Sequence, residues 1–249
     1  MIYLFVTLLG LSFGSFFNVL IYRLPLGKSI IKPNSFCPTC KEKISWYHNI
    51  PVLSYFILRG KCKYCACKIS LLYPTVEIIT AIVTLILYIK LGNTLAFLSL
   101  LIVFYLLIVL SFIDFKYKAV PDYLLVLIFL ASLFVIQADF INSLKNGFIF
   151  AGAFIILDFL LSFYIQNIKY KITKNEDLRT QKALGEGDIP IIFVIGAILG
   201  VKAGFAAIFL GALFAIIPSI YNITFKKDIE TPFIPYLSLG LFVSYLFFY

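Results

Sequence analysis

Long apolar runs alternate with short polar segments along almost the whole chain. A helix that crosses about 30 Å of hydrocarbon needs about 20 predominantly apolar residues. We predict eight such spans, at roughly 2–22, 74–90, 95–113, 122–138, 147–166, 189–200, 203–222 and 233–249. The sixth run is short, which leaves seven spans as the alternative. The pattern is typical of an all-α polytopic membrane protein.

The first apolar run lacks the features of a removable signal peptide. No basic residue precedes it, and no small-x-small cleavage site follows it. We therefore expect residues 1–22 to remain as the first transmembrane helix. Segment 23–73, which follows, is the only one between two spans that is long enough to form a small folded unit outside the bilayer.

Basic residues are distributed unevenly between the two sides that eight spans define. With the N-terminus outside, the segments on the opposite side are 23–73, 114–121, 167–188 and 223–232. That side carries 18 of the 21 Lys and Arg residues, and the other side carries Lys90, Lys145 and Lys202. Cytoplasmic loops of membrane proteins carry an excess of Lys and Arg. We therefore place the side with 18 basic residues in the cytoplasm.

Composition supports this class and excludes others. The chain is 62% hydrophobic and only 13% charged, whereas soluble domains are about half apolar and a quarter charged. This hydrophobicity excludes intrinsic disorder, and five cysteines in 249 residues are too few for a secreted disulfide scaffold. We interpret the net charge of +9 as a sign of membrane orientation, and we expect no nucleic-acid partner.

Two C-x2-C motifs lie in the predicted cytoplasmic segment, Cys37-Pro38-Thr39-Cys40 and Cys62-Lys63-Tyr64-Cys65. Cysteines in the reducing cytoplasm bind metal more often than they form disulfides, and paired C-x2-C motifs are typical of structural zinc sites. We predict a structural zinc ion held by Cys37, Cys40, Cys62 and Cys65. Free thiols are the alternative, and Cys67 could replace Cys62 or Cys65. His48 is expected to be a solvated loop residue.

Acidic residues within or beside membrane spans are costly and suggest function. The candidates are Glu77, Asp114, Asp122, Asp158 and Asp188. The predicted topology brings Asp114 and Asp188 to the same cytoplasmic mouth, although they are 74 residues apart. Two neighbouring aspartates can share one proton, which provides a general acid and a general base. Such a pair can activate water against a peptide carbonyl.

Structural roles are the alternative for each acidic residue. Asp188 precedes Ile189 and Pro190 and could cap a helix, and Asp122 follows Pro121 in the same way. Asp114 could simply lie at the membrane interface, beside Lys116 and Lys118, without a catalytic role. Asp158 lies in the middle of the fifth predicted span and must face other helices or a watery cavity.

Several short motifs follow one another in a fixed order along nearly the whole chain. They are Gly14-Ser15-Phe16-Phe17-Asn18-Val19, Arg23-Leu24-Pro25, Ser35-Phe36-Cys37-Pro38-Thr39-Cys40, Cys62-Lys63-Tyr64-Cys65, Tyr73-Pro74-Thr75-Val76-Glu77, Asp114 with Val120-Pro121-Asp122, Gly185-Glu186-Gly187-Asp188, and Pro232-Phe233-Ile234-Pro235-Tyr236. In this order they resemble the bacterial type IV prepilin peptidase family, whose members are bifunctional leader peptidases and N-methyltransferases.

The resemblance implies a GxGD-type intramembrane aspartyl protease. Its catalytic aspartates would be Asp114 and Asp188. The substrates of the family are prepilins and pilin-like proteins (pseudopilins), which are cut at the cytoplasmic membrane face after glycine, commonly before phenylalanine. The new N-terminus is then methylated from S-adenosylmethionine. The supporting residues would be Gly185, Gly187, Asp122 and Glu77.

The resemblance also suggests a division of the chain. Residues 1–22 would form the first transmembrane helix, 23–73 the zinc-binding insertion and 74–249 the transmembrane aspartyl protease domain. The S-adenosylmethionine expectation rests on resemblance alone, because no Gly-rich turn lies between a strand and a helix. The sequence indicates no oligomeric state.

This sequence departs from the family pattern at three positions. Leu72 replaces the usual arginine before Tyr-Pro, Pro190 replaces a lysine that is often found after the second aspartate, and Ile234 replaces a common glycine. None of the three is a member of the aspartate pair. The departures concern substrate positioning and methyl transfer.

Two other classes of function remain as alternatives. A transporter could relay protons or cations through Asp114, Asp158 and Asp188. Against this, the paired aspartates lie at one face, and we find no repeated half of the kind that many carriers contain. A zinc-bearing membrane scaffold would tolerate amide substitution at every aspartate.

Overall fold

The computed structural model describes residues 1–135, 139–174, 176–180, 182–226 and 231–248. These residues form α-helices joined by turns, 3-10 segments, π segments and the irregular loops of the cysteine-containing segment, with no extended strand among them. The helices are α1 Ile2–Arg23, α2 Leu53–Ile57, α3 Leu72–Leu91, α4 Leu95–Tyr117, α5 Asp122–Val135, α6 Phe140–Phe163, α7 Tyr170–Thr173, α8 Asp188–Tyr221 and α9 Ile234–Phe248. The prediction of an all-α fold is confirmed.

Each of the eight predicted spans corresponds to a helical segment. Five helical segments are long and apolar enough to cross a membrane, and they are Ile2–Leu26, Leu72–Leu91, Leu95–Tyr117, Phe140–Thr173 and Asp188–Tyr221. Helices α5 and α9 are shorter, with 14 and 15 residues. The predicted ends of spans four and eight, at 136–138 and 249, lie outside the described residues. So do residues 175 and 181 of the predicted segment 167–188 and residues 227–230 of the segment 223–232.

Helix α8 contains both the sixth and the seventh predicted spans. It has 34 residues, and its helical geometry is broken at Gly200, where φ is 68° and ψ is −170°. At about 1.5 Å per residue, an unbroken helix of this length would extend about 50 Å, well beyond the hydrocarbon layer. Gly200 lacks a side chain and can adopt this left-handed conformation. The kink therefore divides α8 into the two expected segments.

The chain divides into two compact units, Met1–Ile113 (unit 1) and Asp114–Tyr249 (unit 2). In unit 1, α1 and α3 pack closely at two glycines one helical turn apart. A Cβ atom at Gly10 would lie 2.7 Å from Ala81 Cα, and one at Gly14 would lie 2.6 Å from Glu77 Cα. Small residues at this spacing allow membrane helices to approach closely. Residue Glu77 is thereby fixed beside α1.

Unit 2 is built around α8, which packs on α5, α6 and α9. A Cβ atom at Gly211 of α8 would lie 3.0 Å from the carbonyl oxygen of Tyr236, and one at Gly240 of α9 would overlap the carbonyl oxygen of Ala207. Helix α6 keeps large apolar side chains such as Ile156 and Phe159 exposed. Apolar surfaces of this extent are typical of helices that face lipid.

Candidate active site and metal centre

Three acidic side chains are buried in the part of the chain that the structure describes. Glu77 is 7% exposed, Asp114 is 8% exposed and Asp188 is 6% exposed. Asp114 and Asp188 belong to unit 2, and Glu77 belongs to unit 1. Burial of a carboxyl group costs free energy unless neighbouring groups bond to it or balance its charge. The groups around each buried carboxyl therefore indicate its role.

Asp114 lies in the last turn of α4 and faces the beginning of α9. Helix α4 ends where Lys118 adopts a left-handed φ of 52° and donates its N–H to the carbonyl oxygen of Asp114 at 2.8 Å. The N–H of Ile234, the first residue of α9, donates to Asp114 Oδ2 at 3.2 Å. The first N–H groups of a helix have no partner within it. Asp114 therefore receives a donor that the start of α9 leaves free.

Asp188 is the first residue of α8 and is held by the glycine that precedes it by three positions. Gly185 N–H donates to Asp188 Oδ2 at 3.2 Å, and Asp188 N–H donates to the Gly185 carbonyl at 3.0 Å. A Cβ atom at Gly185 would lie 3.1 Å from Asp188 Oδ2. The absence of a side chain at Gly185 thus permits this compact turn.

The loop before Asp188 is anchored to α6 by Asp158. Leu184 N–H donates to Asp158 Oδ1 at 3.0 Å, and Ala183 N–H donates to Ser162 Oγ at 3.0 Å. Ser162 in turn donates its hydroxyl to Asp158 Oδ1 at 3.3 Å. Asp158, which the sequence required to face other helices or a cavity, satisfies backbone donors of the GxGD loop. Sequence patterns alone could not identify this role, because a backbone N–H partner leaves no mark in the sequence.

The remaining residues of the predicted site differ in their surroundings. Gly187 is not tightly packed, since a Cβ atom there would be 3.5 Å from Ile234 Cδ1, an ordinary van der Waals contact. Asp122 is exposed at the first position of α5. Glu186 is exposed and forms an ion pair with Lys182, whose hydrogen bond and positive charge lower the pKa of Glu186. Glu186 is thus engaged with a lysine instead of the buried aspartates.

The arrangement in unit 2 can perform acid–base chemistry on a peptide. Ile234, whose N–H bonds Asp114, also has its Cδ1 atom beside Gly187, the neighbour of Asp188, so the two aspartates lie close together. Each carboxyl uses Oδ2 to accept a backbone hydrogen bond. Two buried carboxyl groups that lie close together tend to share one proton, because two negative charges at close range repel each other. Such a pair can accept a proton from water while it donates one to a carbonyl oxygen.

Four cysteines of unit 1 form a cluster that could hold a metal ion. The sulfur atoms of Cys37, Cys40, Cys62 and Cys65 all lie within 4.8 Å of one another. Cys37 Sγ lies 3.9 Å from Cys65 Sγ and 3.6 Å from Cys67 Sγ. Burial acts to raise the pKa of Cys37, but hydrogen bonds, first from the backbone of Cys40 and Thr39, outweigh it and lower the pKa to about 6.

The two C-x2-C motifs adopt the same local structure. Lys41 N–H donates to the carbonyl oxygen of Cys37, as Ala66 N–H does to that of Cys62, and both Lys41 and Ala66 have positive φ. The bridge Phe36–Lys43 has its counterpart in the bridge Lys61–Lys68. The sequence alone does not reveal this short structural repeat, because the two segments share few residues other than their cysteines. In this repeat Cys67 occupies the position of Glu42, after the turn that presents the cysteine pair.

Glu77 of α3 is bonded to the cysteine-containing segment. Its Oε2 atom accepts the N–H of Val52 at 2.7 Å, and Val52 has a left-handed φ of 62°. Asn18 of α1 lies nearby in the same unit and donates its Nδ2 to the Tyr73 carbonyl at 3.1 Å. Both side chains line a cavity of unit 1. Glu77 therefore belongs to the surroundings of the cysteine cluster rather than to unit 2.

Two family models match this chain in succession. The model of the Bacterial Peptidase A24 N-terminal domain matches residues 8–91, and the model of the Type IV leader peptidase family matches residues 101–220. The first match contains the cysteine cluster and Glu77. The second contains Asp114, Asp158 and Asp188.

Several relatives are similar over most of this chain. A prepilin leader peptidase/N-methyltransferase of Bacillus subtilis is 32% identical over 244 residues, which cover 96% of this chain and 91% of that protein. One of Vibrio cholerae is 34% identical over 206 residues, 79% of this chain and 77% of that protein. One of Myxococcus xanthus is 33% identical over 199 residues, 80% of this chain but only 56% of that longer protein. No solved structure matches the chain.

Proposed function

Since the chain belongs to the type IV leader peptidase family, we propose that it cleaves the leader of prepilins or pseudopilins and then methylates the new N-terminus. The observation that carries this proposal is the pair of buried aspartates of unit 2, Asp114 and Asp188, which are linked through the contacts of Ile234 with Asp114 and Gly187. A multi-pass protein of the inner membrane is suited to such substrates, because a prepilin carries its leader immediately before an apolar helix.

Peptide hydrolysis by the pair follows from its chemistry. One aspartate, as carboxylate, accepts a proton from water while the water oxygen forms a bond to the scissile carbonyl carbon. The other, as carboxylic acid, donates a hydrogen bond and then its proton to the carbonyl oxygen. When the C–N bond breaks, one aspartate gives its proton to the leaving amine, and the other accepts a proton from a hydroxyl of the tetrahedral gem-diol, which becomes the new carboxyl group. The pair is thereby returned to its shared-proton state.

Backbone donors support the two aspartates in this role. The N–H of Ile234 holds Asp114 from the start of α9, and the N–H of Gly185 holds Asp188 from the turn before α8. Donors that are fixed in advance keep both carboxyls in place without reorganisation during the reaction. Gly185 would support the site by allowing its backbone to lie close to the Asp188 carboxyl, and Gly187 would support it by leaving space for the substrate.

We also propose the orientation of the protein. The N-terminus would face outward, and the cysteine-containing segment and the catalytic aspartates would face the cytoplasm. The distribution of 18 against three basic residues supports this orientation. In this arrangement the leader is cut at the cytoplasmic face of the inner membrane.

The metal of the cysteine cluster is proposed to be zinc with a structural role. Four thiolates at about 2.3 Å from a tetrahedral zinc ion are about 3.8 Å apart, and the distance from Cys37 Sγ to Cys65 Sγ is 3.9 Å. A site with four protein ligands has no open position for substrate. The same proposal makes 23–73 a zinc-binding insertion after the first transmembrane helix, 1–22, and makes 74–249 the protease domain.

The test of the function uses full-length protein in detergent and a peptide with a basic leader, a Gly-Phe bond and an apolar stretch. We expect mass spectrometry to show one cut, after the glycine. With S-adenosylmethionine added, the product that begins with phenylalanine should gain the mass of one methyl group. An uncut peptide would contradict the peptidase, and a cut but unmethylated product would contradict the methyltransferase.

The transporter alternative has no support, because neither of the two family models and none of the relatives named above is a transporter.

The anchoring of the GxGD loop leads to a prediction for Asp158. Asp158→Ala removes the acceptor of the Leu184 N–H and should lower the rate of leader cleavage by about 10-fold to 100-fold, because Asp188 would be held less firmly. Asp158→Asn keeps an oxygen that can accept this bond and should retain most of the activity. Initial rates at saturating peptide measure both variants. Equal losses in the two variants would contradict a role in positioning.

A further inference from the structure

The loop before Asp188 carries an exposed carboxylate, that of Glu186. Its side chain is 81% exposed, although it lies only two residues before Asp188, which is 6% exposed. Consecutive Cα atoms are about 3.8 Å apart, so the Cα atoms of Glu186 and Asp188 are separated by about 7.6 Å at most. Glu186 has a glycine on each side, and neither has a side chain that could cover it. A negative charge is therefore open to solvent close to Asp188.

Hydrogen bonds fix the backbone that leads to Glu186. Leu184 N–H donates to Asp158 Oδ1, and Gly185 N–H donates to Asp188 Oδ2. The two residues before Glu186 are thereby tied to α6 and to the start of α8. A loop that is held in advance loses little conformational freedom when a ligand binds to it. Glu186 is thus placed near the aspartate pair before the substrate arrives.

The ion pair between Glu186 and Lys182 is easily replaced. Lys182 Nζ donates a hydrogen bond to Glu186 Oε1, and the side chain of Lys182 is 58% exposed. Exposed ion pairs contribute little free energy, because water and salt screen both charges. An ammonium or guanidinium group of another molecule can therefore take the place of Lys182 at little cost.

A leader that is cut at the aspartate pair would pass close to this carboxylate. An extended peptide advances about 3.3–3.6 Å per residue, so the separation of Glu186 from Asp188 corresponds to about two residues of substrate. Because both side chains of an ion pair extend toward each other, residues up to about four positions from the cut come within reach. In the orientation proposed above, the part of the substrate on the cytoplasmic side is the leader.

We propose that Glu186 binds a lysine or arginine of the leader, about two to four residues before the cleaved bond, in place of Lys182. Glu186 is then a specificity-determining residue, which holds the leader while Asp114 and Asp188 act on the peptide bond. This inference rests on the peptidase activity proposed above, and it adds a charge requirement to the substrate of that reaction.

The charge requirement is measured with full-length protein in detergent and a series of peptides. Each peptide has a neutral leader, the Gly-Phe bond and the apolar stretch, and carries one lysine at a single position of the leader or no lysine. We expect a lysine two to four residues before the cleaved bond to lower the KM about twofold to fivefold, as an exposed charge contact would. High salt should remove this advantage, because it screens the two charges.

Two variants distinguish substrate binding from stabilisation of the loop. Glu186→Gln and Lys182→Ala both remove the ion pair, so a role confined to the loop predicts the same loss in both. If Glu186 binds the leader, Glu186→Gln should raise the KM of the best lysine peptide to that of the neutral peptide. Lys182→Ala removes only the competing cation and should leave this KM unchanged or lower it. Both variants should keep the wild-type kcat, because a contact made equally before and during the reaction affects KM alone.

The matched control is Glu176→Gln, the same chemical change at another exposed glutamate of unit 2. Glu176 lies twelve residues before Asp188, accepts the Tyr170 hydroxyl and pairs with Arg179. This variant should cleave every peptide with the wild-type KM. Charge reversal completes the test, because Glu186→Lys should prefer a peptide that has glutamate at the best lysine position over the lysine peptide itself.

The outcomes separate this contact from the peptidase activity. The assignment would be overturned, while the peptidase stands, if the wild type cleaved neutral and lysine peptides with the same KM. The same holds if Glu186→Gln kept the preference for lysine, if Lys182→Ala lost it equally, or if charge reversal left it unchanged. If the wild type cuts none of the peptides, the peptidase proposal itself fails and the assignment fails with it. A lysine preference that only Glu186→Gln abolishes, and that Glu186→Lys reverses, would support both.

Discussion

Asp114→Asn and Asp188→Asn are each expected to lower the rate of leader cleavage on the order of 10³-fold or more. Each change keeps the size of the side chain and an acceptor oxygen for its backbone donor, Ile234 or Gly185, but removes a carboxyl from the proton-sharing pair. General acid–base groups contribute about 10²–10⁴-fold to rates, and members of a catalytic unit are strongly non-additive. Initial rates of peptide cleavage by mass spectrometry measure the effect.

The matched control is Asp139→Asn. Asp139 belongs to unit 2 and is exposed at the start of α6, where it accepts a hydrogen bond from Asn142 at 2.9 Å. It should cleave the peptide like the wild type, and all three variants should accumulate in the membrane at similar levels. The double variant with both aspartates replaced should be no slower than the slower single variant by more than a small factor. A single variant that keeps a tenth of the wild-type rate would not belong to the pair.

Membrane helices were predictable from the sequence because the hydrocarbon layer imposes one requirement on each of them, that its backbone polar groups form hydrogen bonds within the segment. A run of apolar residues of sufficient length has few alternatives to a helix in lipid. The short sixth run also forms a helix, which extends from Asp188 to the break at Gly200 within α8. The helix in which Asp158 lies begins earlier than its apolar run, at Phe140, since polar residues such as Asn142 and Lys145 are compatible with helix at a membrane edge.

The sequence predicted only those parts of the candidate site whose chemistry is carried by side chains. Carboxylates in apolar surroundings stand out in the sequence, so Asp114 and Asp188 could be proposed as a pair. Their donors could not, because the N–H groups of Ile234 and Gly185 are common to all residues other than proline. The same holds for Glu77, whose partner is the N–H of Val52, 25 residues away. Contacts of this kind depend on the folded path of the chain.

We predict the second large effect for substitution of cysteines in the four-cysteine cluster. Cys37→Ser combined with Cys40→Ser should reduce the zinc content of purified protein from about one ion per chain to none. Structural zinc contributes about 10–16 kcal/mol to the folding of small zinc-finger peptides, and segment 23–73 is too small to be stabilised by a core of its own. We therefore expect limited proteolysis to cut this segment rapidly in the variant and slowly in the wild type, with metal analysis on the same samples.

Cys67→Ser is the matched control, because it removes a thiol that lies 3.6 Å from Cys37 Sγ but outside the set of four mutually close sulfur atoms. Its place in the repeat corresponds to Glu42, beyond the turn that presents each cysteine pair. Cys67→Ser should therefore keep its zinc and its resistance to proteolysis. A loss of zinc equal to that of the double variant would make Cys67 a ligand. Freshly purified wild-type protein without zinc would leave the four cysteines without this role.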